Sequence, residues 1–368
     1  MSNRGENIYK RKDKRWEGRY VKSREPNGKV HLGYVYASSY AEAKAKLMQA
    51  KSSVLALSPC TFPPLAVYFN NWLKSCKKSV KPSTYAKYQV MLNNHLTPSL
   101  GCLLPNELTS AAIDNFSTFL LCEKGLSPKT VRDILSTLRT ITKYIRRQTG
   151  EFPQDIEFLY PRERKKEMRV LTPEEQHILI AFLTQDMDRV KFGVLLALLT
   201  GIRIGELCAL RWQNISSDSI KINQTMQRLS VTEGDNKGRK TVIQLGDAKS
   251  ESSRREIPLT LYAASLCERF RSSDNSAFIL TGSSQKFMEP RTLQYRFSRY
   301  TRQCNLKGVH FHALRHTFAT RCIEVGFDVK SLSEILGHSS VKITLDRYVH
   351  SSPHLKRINM DKLSAIGL

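Results

Sequence analysis

Between Phe62 and Thr149 apolar residues recur at helical spacing four times over, and this constrains the chain more than any other feature. Leu65, Tyr68, Phe69, Trp72, Leu73 and Cys76 follow i, i+3, i+4, i+7, i+8 and i+11, the stripe of a helix with one buried face. Tyr85, Tyr88, Leu92 and Leu96 repeat the pattern after Pro82-Ser83, then Ile113, Phe116 and Leu120. Val131, Ile134, Leu135, Leu138, Ile141 and Ile145 form a fourth stripe behind the opening "SPKT". Four helices of this length predict a compact bundle over residues 62–150.

The polar sides of these helices carry Lys74, Lys77, Lys78, Lys81, Lys87, Lys129, Arg132, Arg139, Lys143, Arg146 and Arg147. Each alone reads as a solvated side chain. Their common sign points instead to a phosphate-facing surface, with Lys81, Lys129, Arg132 and Arg139 as candidate contacts. The whole chain leans the same way: 58 lysines and arginines against 33 acids give a net charge of +25 over 368 residues. Such an excess is the footprint of a polyanion binder, without saying which nucleic acid. The length predicts more than one domain.

No apolar run approaches the ~18 residues of a membrane span, and the polar start "MSNRGENIYKRKDKRW" lacks the apolar middle of a signal peptide. The eight cysteines lie far apart without a C-x-x-C pair, which argues against a zinc ribbon or disulfide framework. They read as reduced core thiols of a cytoplasmic protein.

Residues 1–55 form a small basic unit, with thirteen Lys/Arg against five acids through residue 51. "NIYKRK", "RWEGRYVKS" and "KVHLGYVYA" predict three short strands, with Asn27-Gly28 turning between the last two. "SSYAEAKAKLMQAK" predicts a helix capped by Ser38 or Ser39. Trp16, Tyr20 and Tyr34 either pack the sheet on that helix or project outward; Arg15, Trp16 and Arg19 are candidate DNA contacts. Residues 56–61 and the charged, proline-broken 151–170 read as linkers around the bundle. From Leu171 the pattern is mixed: a helix capped by Thr172 with Pro173 in its first turn, strand-like "SIKINQTM", "KTVIQLG" and "RREIPL", then mostly helices to residue 350. The fold class expected is a multidomain, mainly α chain. It combines a three-stranded sheet plus helix, a helical bundle, and a mixed α+β domain with a small antiparallel sheet.

Four stretches of this last region carry side chains suited to chemistry: "TGIRIGEL" with Arg203, "GDAKSESSRREIP" with Lys249, "VHFHALRHTFAT" with His312 and Arg315, and "LGHSS…DRYVH" with His338 and Tyr348. Arg203 reads as the partner of Glu206 one turn on, as a guanidinium awaiting an anion, or as both. His312 and Arg315 share a helix face at i, i+3. His312 and His316 have the spacing of a helical zinc pair, but the Glu of H-E-x-x-H and an acidic third ligand are missing, so no metal is expected. "GDNKGRKT" has the wrong spacing for a phosphate-binding Walker loop.

Chemistry explains why these types belong together. A phosphodiester under attack gathers charge on its equatorial oxygens, and two always-charged arginines offer forked donors to them without a metal. A tyrosine with a pKa near 10 is about one part in a thousand ionised at neutral pH, a cost of roughly 4 kcal/mol. A neighbouring histidine and a cationic field lower that cost. A lysine can protonate the departing oxygen. Exchange of one diester for another is reversible and needs neither ATP nor cofactor.

The ordered set "TGIRIGEL", "K-S-x(3)-R-R-x-I-P", "H-A-L-R-H-T-F-A-T", "L-G-H-S-S" and "Y-V-H" resembles the catalytic domain of tyrosine recombinases, most like integrases of temperate phages and conjugative transposons. The resemblance spans about residues 170–350. It implies Arg203 and Arg315 as phosphate holders, Tyr348 as nucleophile, His312 and His338 as proton handlers or phosphate ligands, and Lys249 as the acid; Glu206, from its spacing, orients Arg203. It implies a core-binding domain over 62–150, a catalytic domain over 171–350, an arm-binding domain over 1–55, and a tail, 351–368, that docks in cis or in trans. Implied partners are double-stranded DNA at core-type and arm-type sites, three further copies in a tetrameric synapse, an excisionase and a host DNA-bending protein, with no membrane. Two other readings share features: a DNA-binding regulator with relic catalytic residues, and a type IB topoisomerase indifferent to sequence.

Overall fold

The computed structural model describes residues 7–24, 30–57, 62–149, 156–163, 168–230, 241–247 and 254–349, with positions 357 and 361. Lys249, the Asn27-Gly28 turn, "GDNKGRKT" and nearly all of the tail lie outside the described residues. The chain falls into two compact units, one of Met1–Lys74 with Leu92–Tyr160, the other of Ser75–Met91 with Pro161–Leu368.

In the first unit, β1 (Ile8–Lys10), β2 (Trp16–Arg24) and β3 (Val30–Ala37) form an antiparallel sheet in chain order. Strand periodicity sorts its side chains. Ile8, Trp16, Tyr20, Val35 and Ala37 face α1 (Tyr40–Leu57) and close a core with Tyr40, Ala43 and Leu47. Ser39 caps α1 by accepting from the Glu42 N–H. The opposite face stays open. There Tyr9, Tyr34 and Tyr36 are exposed; Arg19 lies over Tyr9 and Tyr34, Arg11 over Tyr36, and both arginines donate to buried Glu17 at 2.7 Å.

The helical part holds α2 (Leu65–Cys76), α4 (Thr97–Leu100), α5 (Ser110–Thr118) and α6 (Pro128–Thr149). The stripes of α2 (Leu65, Tyr68, Phe69, Trp72 and Leu73) and α6 (Val131, Ile134, Leu135, Leu138, Ile141 and Ile145) are buried, whereas Cys76, Tyr85 and Tyr88 of the expected pattern are only half-buried. Two π-helical segments interrupt this part, Leu92–Leu96 ahead of α4 and Phe119–Glu123 after α5. The first precedes Pro98, whose missing N–H and ring disfavour regular i→i−4 bonding there. α3 (Pro82–Met91) groups with the second unit. The change falls where regular helix gives way to π geometry, which the apolar stripe alone does not show.

After α3, the second unit continues with α7 (Pro173–Thr184). Thr172 caps it as expected, and Thr172 and Glu175 satisfy each other's backbone N–H groups in a capping box. α8 (Arg189–Thr200) is buried on nearly every side and ends at Gly201, which takes φ +64°. A Cβ at Gly201 would also meet Phe318 Cδ1 at 2.6 Å. Then come α9 (Ile204–Ala209), β4 (Ser219–Ile222), β5 (Gln224–Ser230), β6 (Thr241–Asp247) and β7 (Arg255–Pro258). "SIKINQTM", read from sequence as one strand, is two: β4 pairs with β7 and β5 with β6. α10 (Leu261–Phe270), α11 (Pro290–Gln303), α12 (Phe311–Glu324), α13 (Val329–Leu336) and α14 (Val341–Tyr348) complete the unit.

None of the seven described cysteines is in a disulfide. Cys208, Cys267 and Cys322 are buried, whereas Cys102 and Cys122 are exposed, so the core-thiol reading does not hold for those two. No helix among the described residues is long and apolar enough to cross a membrane.

Candidate active site

The C-terminal end of α13 organises the site. A helix leaves its last carbonyls without intrahelical partners, and α13 stops at Gly337, whose φ of +63° turns the chain away. Three arginines from distant segments meet those carbonyls. Arg255 Nε donates to Ile335 O at 2.6 Å, Arg315 Nη2 to Leu336 O at 2.6 Å, and Arg203 Nη2 to Gly337 O at 2.9 Å. Arg315 Nη1 also donates to Gly201 O at 2.8 Å, tying the end of α8 to the same place.

Glu206 is the carboxylate inside this group. Its Oε1 accepts from Arg203 Nη1 at 2.8 Å and from Arg255 Nη1 at 3.1 Å; its Oε2 accepts from Arg255 Nη2 at 2.8 Å and from the Arg203 backbone N–H at 3.0 Å. Both sequence readings of Arg203 therefore describe its surroundings: it is paired with Glu206, and it stands half-exposed among cations. Burial pushes the Glu206 carboxyl up, but the bonds from Arg255 and the charges of Arg255 and Arg203 outweigh it and hold the group below the usual carboxylate range. Burial and the like charges of Arg203 and Arg255 pull Arg315 below the usual arginine range, still charged at neutral pH. Three guanidiniums face one carboxylate, which favours an incoming anion.

A cavity of about 400 Å³ opens beside them, lined by Ile202, Ile204, Gln294, Ser298, His310, Phe311, His312 and Arg315. Arg315 is otherwise only 2% exposed, so the cavity is its route to a ligand. His312 stands at this opening with an accessible ring. Partial desolvation, then the charges of His316 and Arg315, lower it to about 4.

α14 brings the tyrosine. Ser340 caps the helix by accepting from Lys342 N–H, and eight residues on Tyr348 is 5% exposed. Its hydroxyl is 2.8 Å from His316 Nδ1. The His338 ring lies parallel to the Tyr348 ring at 6.2 Å, its Nδ1 held 2.8 Å from Thr344 Oγ1. Burial and the arginine charges lower His316 to about 4 and His338 to about 3, so both are neutral at pH 7. For Tyr348 the sequence-based expectation of an eased ionisation is corrected: burial outweighs Arg315, Arg347 and Arg203, and the phenol is held above its usual range.

The structure thus gathers Arg203, Glu206, His312, Arg315, His338 and Tyr348 in one unit. Two members of the cluster carry no role in the sequence reading. Arg255 had a signal available: it lies two residues before buried Ile257 on β7 and so shares its inward face. His316 stood in view only as half of a zinc pair. Its ring does lie 4.5 Å from that of His312, but no group of three metal-ligating side chains occurs among the described residues.

The candidate DNA contacts are placed as follows. Arg15 is exposed and paired with Asp13 at 2.8 Å. Trp16 packs edge-on against Tyr40, and Arg19 lies on the open face of the sheet. Lys129 and Arg139 are exposed on α6, where Arg132 lies over Tyr160, and Lys81 is exposed ahead of α3.

Residues 169–354 match the model of the phage integrase family, and residues 65–121 that of the phage integrase N-terminal SAM-like domain. The chain is similar to the ICEBs1 integrase of Bacillus subtilis (strain 168), 28% identical over 320 residues and 82% of each chain. Its fold resembles that of the Tn1549 transposon integrase in complex with a circular intermediate DNA, with TM-score 0.68 and 21% identity over 82% of this chain and 99% of that one. It also resembles a lambda integrase tetramer bound to a Holliday junction, with TM-score 0.59 and 15% identity over 92% and 97%.

Two outcomes are expected. Glu206→Gln removes the carboxylate from a pair whose side chains are 5% and 6% exposed, and denaturant unfolding should show a loss of about 3–5 kcal/mol. The three imidazoles, lowered in the fold, bind more protons when unfolded, so stability is full above their ordinary value near 6.5 and declines as pH falls towards about 3 to 4. Glu206 adds a loss of the same sign at lower pH. Unfolding of the DNA-free protein should therefore need less denaturant at about pH 5 than at about pH 7.5.

Proposed function

The chain belongs to the phage integrase family, and from that premise we propose that it is a site-specific DNA recombinase that integrates and excises a mobile element through a covalent 3′-phosphotyrosine intermediate. The observation that carries this reading is the convergence of Arg203 and Arg315 on the end of α13 beside a buried Tyr348 hydroxyl.

In this reading the scissile phosphate enters the cavity at Arg315 and meets Arg203 as well. The two guanidiniums take its non-bridging oxygens, Glu206 keeps Arg203 in place, and His312 and His338 supply further hydrogen bonds or move protons. The Tyr348 oxygen attacks, and Lys249 protonates the departing 5′ oxygen. The bond energy stays in the phosphotyrosine diester, so religation needs no cofactor.

Double-stranded DNA is the substrate. Its core-type sites are held by residues 62–150 and 171–350, and its arm-type sites by the open face of the sheet in residues 1–55. Four protomers form the synapse, a reading supported by the tetrameric state of the lambda integrase on its Holliday junction. The name of the ICEBs1 integrase supports an integrative role. The work is done on DNA in a bacterial cytoplasm, with an excisionase and a host DNA-bending protein setting direction.

A nicked duplex carrying the junction between element and chromosome, incubated with the protein and a chelator, should trap a covalent protein–DNA adduct. Tyr348→Phe should abolish it. An equal yield of adduct from that variant would overturn the assignment.

A further inference from the structure

We infer that His316 is a catalytic residue for Tyr348, holding the phenol through Nδ1 and accepting its proton as the phosphate is attacked. The inference rests on the recombinase reading and adds a residue to it.

The geometry singles His316 out. The contact of 2.8 Å lies between residues only 6% and 5% exposed, so water does not compete for the phenol there. With the phenol as donor, Nδ1 is the acceptor and the ring proton sits on Nε2. His338 meets the face of the tyrosine ring, not its hydroxyl, and has Nδ1 engaged with Thr344. His312 meets His316 edge-on and faces the cavity. The Arg347 charge also acts on the phenol, but a guanidinium cannot take a proton from it.

The groups facing this pair explain its timing. Arg347 on α14, His310 ahead of α12, and Arg315 on α12 disfavour a charged His316; Arg315, Arg347 and Arg203 face Tyr348. All are cationic or neutral. In the DNA-free protein the imidazole is therefore a weak base and the tyrosine rests unionised. A phosphate anion between Arg203 and Arg315 offsets that positive field, so the base strengthens when substrate arrives. In the step itself the phenol O–H bond breaks and its proton goes to Nδ1. The oxygen's electron pair forms the new bond to phosphorus, the bond from phosphorus to the 5′ oxygen breaks, and that oxygen takes a proton from Lys249. Religation returns the same proton from Nδ1 to the phenol oxygen.

The test is single-turnover cleavage of the nicked junction duplex by the full chain and by His316→Asn across a pH series. The amide oxygen of asparagine keeps an acceptor near the Nδ1 position but is no base. The expected result is unchanged DNA affinity, an adduct rate about a hundred-fold lower near neutrality, and a rate that climbs towards wild type as solution base takes over at high pH. A profile parallel to wild type at every pH overturns the inference while leaving the recombinase reading intact. No adduct from the wild-type chain overturns both. Nitrogen NMR of histidine-labelled wild-type protein gives a check independent of the variant's folding: His316 should carry its proton on Nε2, and a proton on Nδ1 overturns the inference.

Discussion

Three guanidiniums meeting the unsatisfied carbonyls of one helix end is the interaction on which the rest of the second unit depends. Ile335, Leu336 and Gly337 supply oxygens that have no partner within α13, at the end of a helix dipole that favours cations. Those bonds fix where Arg255, Arg315 and Arg203 point. They do not cancel the arginines' charge, because a carbonyl is a dipole and Glu206 is a single carboxylate. The cluster is thus rigid and electropositive before any ligand arrives, and an electrostatic site of that kind needs little rearrangement at the moment of reaction.

The same end of α13 positions the remaining groups. Gly337 turns the chain, His338 follows it directly, and its backbone N–H closes back on Ser333 O at 3.0 Å. The next helix starts at Ser340 and carries Tyr348 into a small core with Ala319, Cys322, Leu332 and Leu336. Anchoring the tyrosine through that core keeps its hydroxyl near the arginines but sets it in a dry place, where ionisation is harder. The resting protein therefore holds a charged arginine cluster, three neutral imidazoles and a protonated phenol, and the substrate's own charge completes the balance.

Much of this was legible in the sequence because it depends on local pattern. The stripes on α2 and α6, the cap at Thr172 and the strands around Tyr20 each rest on side-chain period, capping or backbone preference within a few residues. The separated Arg203, Arg315, His338 and Tyr348 were readable as a chemical set through their family resemblance. What the sequence hid depends on long-range packing. "SIKINQTM" looks like one strand because nothing local shows that its halves pair with different partners. Tyr348 was expected to ionise more easily, since charge is visible in a sequence and burial is not. His316 adjoins Arg315 in sequence, yet only the docking of α14 makes it the partner of the phenol.

The most direct test of this account is a structure of the Tyr348→Phe chain bound to its element-junction duplex. The account requires one DNA phosphate whose non-bridging oxygens accept hydrogen bonds from both Arg203 and Arg315, with the α13 carbonyl contacts of the arginines still in place. A phosphate bound elsewhere, or guanidiniums that leave the α13 carbonyls and separate on DNA binding, would contradict it.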